Sequence, residues 1–120
     1  MALHSPQLLE HFQNPRNVGQ LDAPAVTIAA ENPACGDSMR LAARFEGDRV
    51  AEVRYQVRGC TASIAAGSAL TAWMEGKSRA ELAQMTPAVI EEALGGLQPA
   101  SKHAAILCAD ALKQLLVAVS

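Results

Sequence analysis

At 120 residues the chain has room for one domain and too little for two ordinary ones, and it is read as a single domain over 1–120. Half of the residues are apolar and 18% are charged, which excludes a disordered tail; only 3% are aromatic, so the core must come from closely packed Ala, Leu, Val and Ile. The net charge of −2, with acids and bases interspersed, gives no basic stripe for nucleic acid.

The opening Met1-Ala2-Leu3-His4-Ser5-Pro6 has neither the basic nor the apolar region of a secretory signal. The apolar stretches are broken by polar residues too often for a membrane span. Three cysteines, at 35, 60 and 108, are an odd and scattered set. A disulfide framework wants an even count, so reduced thiols and a cytoplasmic location are expected.

Ser5 and Pro6 predict the N-cap and first position of a short helix carrying Leu8, Leu9 and Phe12. It should stop before Asn14-Pro15, because the residue preceding proline is pushed out of helical geometry. Residues 14–24, rich in Asn, Pro, Gly and Asp, read as an irregular arm. Three strands are expected next, over 25–30, 38–46 and 49–58. The last alternates through Val50, Val53, Tyr55 and Val57, and its slip between Val50 and Val53 predicts a bulge. Gly47-Asp48 suits the turn of a hairpin between the last two strands.

From Thr61 the pattern is helical: an Ala-rich helix over 61–75 stopped by Gly76, then a capping box at Ser78-Arg79-Ala80-Glu81. A further helix starts at Thr86-Pro87 and ends at Gly95-Gly96. A long C-terminal helix begins near Pro99 or Ser101, with Ala104, Cys108, Ala111 and Leu115 on its inner stripe. Strands followed by helices predict an α+β fold, a three-stranded antiparallel sheet with helices packed on one face.

Three places carry candidate chemistry. In Ala34-Cys35-Gly36-Asp37 a thiol and a carboxylate two residues apart can face one ion; a loop cysteine with a turn aspartate bonded to its own backbone is the ordinary alternative. Cys60 falls where a strand gives way to a helix, and unpaired N–H groups there favour a thiolate. A small buried residue at a tight junction accounts for Cys60 equally well. His103, in the first turn of the last helix, is either a ligand or a capping or surface residue. His4 and His11 have no neighbouring ligand candidate and are expected to face solvent, and Cys108 is expected to behave as a small core residue.

The chain resembles the NifU/IscU-type iron–sulfur cluster scaffold proteins along nearly its whole length. The motifs are Asn14-Pro15-Arg16-Asn17-Val18-Gly19, Pro33-Ala34-Cys35-Gly36-Asp37 and Gly59-Cys60. Trp73 with Glu75-Gly76-Lys77-Ser78, and Asp110-Ala111-Leu112-Lys113, extend the likeness. The resemblance implies a non-enzymatic scaffold on which a [2Fe–2S] cluster is built from iron and sulfur delivered by a cysteine desulfurase. It then passes the cluster to apo iron–sulfur client proteins. The implied ligands are Cys35, Asp37 and Cys60, with His103 on the family's histidine, and zinc is an alternative occupant of the isolated protein. Thiolates hold these metals well, and a harder carboxylate leaves one corner exchangeable.

Two departures qualify this likeness. Ala104 stands where the family has its third cysteine, and Cys108 lies one helical turn further on, a displacement of ~6 Å. Metal–sulfur bonds of ~2.3 Å do not absorb that shift, so either the helix slides and Cys108 becomes a ligand or Cys108 belongs to the core, and the second reading is favoured. The family's chaperone-recognition segment, Leu-Pro-Pro-Val-Lys, is replaced by Leu97-Gln98-Pro99-Ala100-Ser101, which counts against handling by an Hsp70-type chaperone. Two other readings are a zinc-dependent sulfurtransferase, disfavoured by the short connection from Thr86 to Pro99, and an accessory protein that binds no cluster.

Overall fold

A computed structural model describes residues 4–33 and 36–119. The first helix, α1 (Pro6–Gln13), is capped by Ser5, whose side chain accepts from the Leu8 backbone N–H at 3.0 Å. Leu8 is buried, while Leu9 and Phe12 stay partly exposed on its outer side. Strands β1 (Val26–Glu31), β2 (Ser38–Glu46) and β3 (Arg49–Arg58) follow. They form one antiparallel sheet in the order β1-β2-β3.

The slip read in the sequence of β3 is a bulge. Arg44 pairs with Glu52 and Phe45 with Val50, which leaves Ala51 as the extra residue. Past it, alternation resumes. Met39, Leu41 and Ala43 of β2 and Val53 and Tyr55 of β3 are buried on one face, with Ala30 of β1. Arg40 and Gln56, paired across the strands, are exposed on the other.

Helices α2 (Thr61–Met74) and α5 (His103–Val119) cover the buried face, and α3 (Arg79–Leu82) and α4 (Pro87–Ala93) pack against them. The expected capping box is present at α3, where Ser78 and Glu81 satisfy each other's backbone N–H groups. A 3-10 turn over Pro99–Ser101 precedes α5, so the α-helix proper starts at His103, slightly later than its sequence suggests. Small side chains let α2 settle closely onto β3, beside α5. A methyl group built on Gly67 would lie 2.2 Å from a ring carbon of Tyr55, and the Tyr55 hydroxyl donates to the Ile64 carbonyl at 2.7 Å. This is how a core with so few aromatic residues packs closely. Among the described residues, no helix is long and apolar enough to cross a membrane.

The arm is tied down by backbone as well as side-chain bonds. Asn17 accepts from the Tyr55 N–H at 2.8 Å and Gly19 donates to the Tyr55 carbonyl at 3.0 Å, so the arm occupies part of the outer edge of β3. Two histidine expectations fail here. His11 turns inward, with Nδ1 2.7 Å from the Ser68 hydroxyl, because Ser68 on the buried face of α2 offers a partner that sequence spacing does not reveal. His4 is half-buried, and its Nδ1 is shut away from solvent.

Candidate metal centre

The register of the sheet brings the first two ligand candidates together. Ser38 pairs with Arg58, so the residues just beyond them, Asp37 and Gly59, are neighbours where β2 begins and β3 ends. The connection is closed by Asn32, whose N–H donates to the Asp37 carbonyl at 2.9 Å and whose carbonyl accepts from Gly36 at 2.8 Å. A methyl group on Gly59 would stand 2.5 Å from Cγ of Asp37. The absence of a side chain at Gly59 is therefore what gives the carboxylate its place.

Cys60 follows as the N-cap residue of α2, yet its side chain caps nothing. Asp37 supplies the cap from another segment. Its Oδ2 accepts from the Ser63 hydroxyl at 2.6 Å and from the Cys60 N–H at 3.4 Å, placing negative charge at the positive end of the helix. His103, the first residue of α5, brings Nε2 to 3.3 Å from the same Oδ2 and to 3.5 Å from Cys60 Sγ. Asp37 is buried, His103 half-buried and Cys60 exposed, so the group opens to solvent on the sulfur side. Burial, the strongest single influence on Asp37, pushes its pKa up. Hydrogen bonds from Ser63, Cys60 and His103 together outweigh it and hold the carboxyl below its ordinary range.

One ligand atom from each of Asp37, Cys60 and His103 lies within 4.8 Å of the others. Ligands bonded to a tetrahedral ion stand roughly 3.5 Å apart, so two edges of this triangle, at 3.3 and 3.5 Å, already have the required length. The donors are a thiol, an imidazole and a carboxylate, a set that suits zinc or iron. Cys35, the remaining candidate ligand, lies outside the described residues.

Cys108 is completely buried, in one core cluster with Leu107, Ala111 and Leu112, and burial pushes its thiol pKa far up. Ala104, the position one turn earlier, is also buried. Sequence reasoning missed Ser63. Its only signal is its place three residues after Cys60, on the same side of the first helical turn.

The chain matches the family model described as NifU-like N terminal domain over residues 3–119. It is 48% identical over 111 residues to the bifunctional protein NifU/MnmA of Rubrobacter xylanophilus, covering 91% of this chain but only 23% of that protein. It is 36% identical over 115 residues to an iron–sulfur cluster assembly scaffold protein IscU of Archaeoglobus fulgidus, covering 96% of this chain and 75% of the relative. Among solved structures, a SUF-system protein of Fervidobacterium islandicum superposes with a TM-score of 0.77 at 18% identity, covering 95% of this chain and 96% of that one. The N-terminal part of a NifU-like protein from Brucella abortus gives 0.64 at 19% identity, covering 92% and 77%. These two structural likenesses speak to the fold, and the sequence matches settle the lineage: the chain belongs to the NifU-like N-terminal domain family.

Proposed function

We propose that this chain is an iron–sulfur cluster assembly scaffold, which receives iron and sulfur, holds them as a labile [2Fe–2S] cargo and passes that cargo to apo-proteins. The observation that carries this reading is the convergence of Asp37, Cys60 and His103 from three separate segments, within 4.8 Å of one another. Relatives named as iron–sulfur cluster assembly scaffold proteins support it. Cys35, two residues before Asp37 in the sequence, is the fourth donor.

In this reading Cys60 and Cys35 are the soft anchors that retain the cargo. Asp37 is a harder and weaker partner that leaves one corner exchangeable, and His103 completes the set. None of these residues turns over a substrate, so the protein acts by holding and releasing and is not an enzyme. A cysteine desulfurase supplies the sulfur and apo iron–sulfur proteins receive the product, in a reducing compartment such as the cytoplasm. The same donors accept zinc when iron and sulfide are absent. The connection between α4 and the 3-10 turn is short, only residues 94–98, which counts against the zinc-dependent sulfurtransferase reading.

Anaerobic reconstitution with ferrous iron and sulfide tests the proposal in wild type and Cys108→Ser. Iron and acid-labile sulfide are counted alongside the visible spectrum. Both proteins should form a [2Fe–2S] cluster, and Cys108→Ser should lose about 1–3 kcal/mol of stability by burying a hydroxyl. Failure of both proteins to hold iron and sulfide would overturn the scaffold reading. A cluster in wild type alone would make Cys108 a ligand.

A further inference from the structure

Ser63 is fully buried in the first turn of α2, between Ala62 and Ile64. Among the described residues its hydroxyl makes no bond to the backbone of its own helix. It instead reaches two ligand candidates, Asp37 Oδ2 at 2.6 Å and Cys60 Sγ at 3.5 Å. A serine hydroxyl carries one proton. The short contact to the carboxylate takes it, leaving lone pairs toward the sulfur.

We propose that Ser63 is a positioning residue that sets how strongly Asp37 engages a bound metal ion. The proposal rests on the metal-site reading above. Oδ2, the carboxylate oxygen nearest His103 Nε2, is the one that Ser63 occupies. A hydrogen bond into that oxygen withdraws electron density and fills one of its lone-pair directions. An ion taken up between Asp37, Cys60 and His103 must share Oδ2 with the hydroxyl or displace it. Ser63 thus holds the carboxylate and at the same time competes with an ion for Oδ2.

Removing the hydroxyl does not remove Asp37 from the site. The Cys60 N–H still points at Oδ2, and the space beside Gly59 still receives the carboxylate. Alanine is also a better helix former than serine, so Ser63→Ala should fold.

The test is the rate at which zinc-loaded protein gives up its metal to a chromophoric chelator, measured for wild type, Ser63→Ala, Asp37→Ala and the double variant. Ser63→Ala should release zinc more slowly, by roughly tenfold, because the ion no longer competes with a hydrogen bond to a charged carboxylate. Asp37→Ala should release it faster, and adding Ser63→Ala should no longer slow release in that background, because the slowing runs through the carboxylate. Unchanged or faster release from Ser63→Ala overturns the proposal, as does a double variant that releases zinc more slowly than Asp37→Ala. Wild type that takes up no metal overturns the metal-site reading and this proposal with it.

Discussion

A methyl group at position 59 has no room, because its nearest neighbour would be the Asp37 carboxyl carbon at 2.5 Å. Something must give, and the side chain of Asp37, at the end of a connection, is freer to move than the paired strands. Gly59→Ala should therefore lower zinc affinity by about tenfold or more while shifting the melting temperature only slightly. Equilibrium competition with a chelator and a thermal melt on one sample check both halves. Affinity unchanged with a lowered melting temperature would mean that the strands yielded instead. At this scale much of the centre was legible before any coordinates. By residue type and place alone Asp37, Cys60 and His103 each had an ordinary alternative, and it was the likeness to the NifU/IscU-type proteins that named them together as candidate ligands. Ser63 was not among them, since position 63 reads as one more small residue of an Ala-rich helix. Its partner lies 26 residues earlier, and only folding makes the two neighbours.

The clasp between α1, the arm and α2 is an assembly of elements with its own pH response. His11 Nδ1 meets the Ser68 hydroxyl at 2.7 Å, and Ser68 also accepts from the Arg16 N–H at 2.9 Å. The Arg16 guanidinium lies 3.2 Å from His11 Nδ1 and bonds Glu10 as well. Burial, then the positive charge of Arg16, lowers the His11 pKa below its ordinary value of 6.5, with Glu10 opposing. A histidine whose folded pKa is depressed binds its proton more readily in the unfolded chain. Its contribution to stability is therefore whole above the unfolded value and fades as pH falls through the folded one. Thermal melts from about pH 8 down to about pH 5 should show a loss of a few degrees in wild type that is smaller in His11→Gln. Identical pH profiles would show that the clasp does not titrate.

Elements differ in how plainly the sequence announces them. The strands and α3 are visible because alternation and a capping box are side-chain patterns. The arm's hold on Tyr55 is made through backbone N–H and carbonyl groups, which every residue but proline carries alike, so nothing in residues 14–24 advertises it. The inward turn of His11 is hidden for a related reason. Whether a histidine at the end of a short helix meets water or a serine depends on which helix packs beside it.

Across the whole molecule, strands followed by helices sufficed to read the α+β architecture, since a sheet with one apolar face needs a covering layer. The centre depends on that layer being in place. Its candidate ligands come from the connection before β2, the start of α2 and the start of α5, and an unfolded chain does not hold them together. Any metal held there is accordingly linked to folding. Zinc at a free concentration a hundredfold above its dissociation constant should stabilise the protein by about 2.7 kcal/mol, a rise in melting temperature on the order of 10 °C. Cys60→Ser should abolish most of that shift, and an equal shift in this variant would place the bound zinc elsewhere.

The position of His103 also orders events during synthesis. It lies 43 residues beyond Cys60, so a ribosome finishes the sheet and α2 before the imidazole has been made. A nascent chain therefore carries the two candidate thiols and the Asp37 carboxylate before it carries His103, which reaches Asp37 and Cys60 only once α5 has emerged and docked. A translation product broken off before α5 would lack the imidazole and fold no complete set of candidate donors.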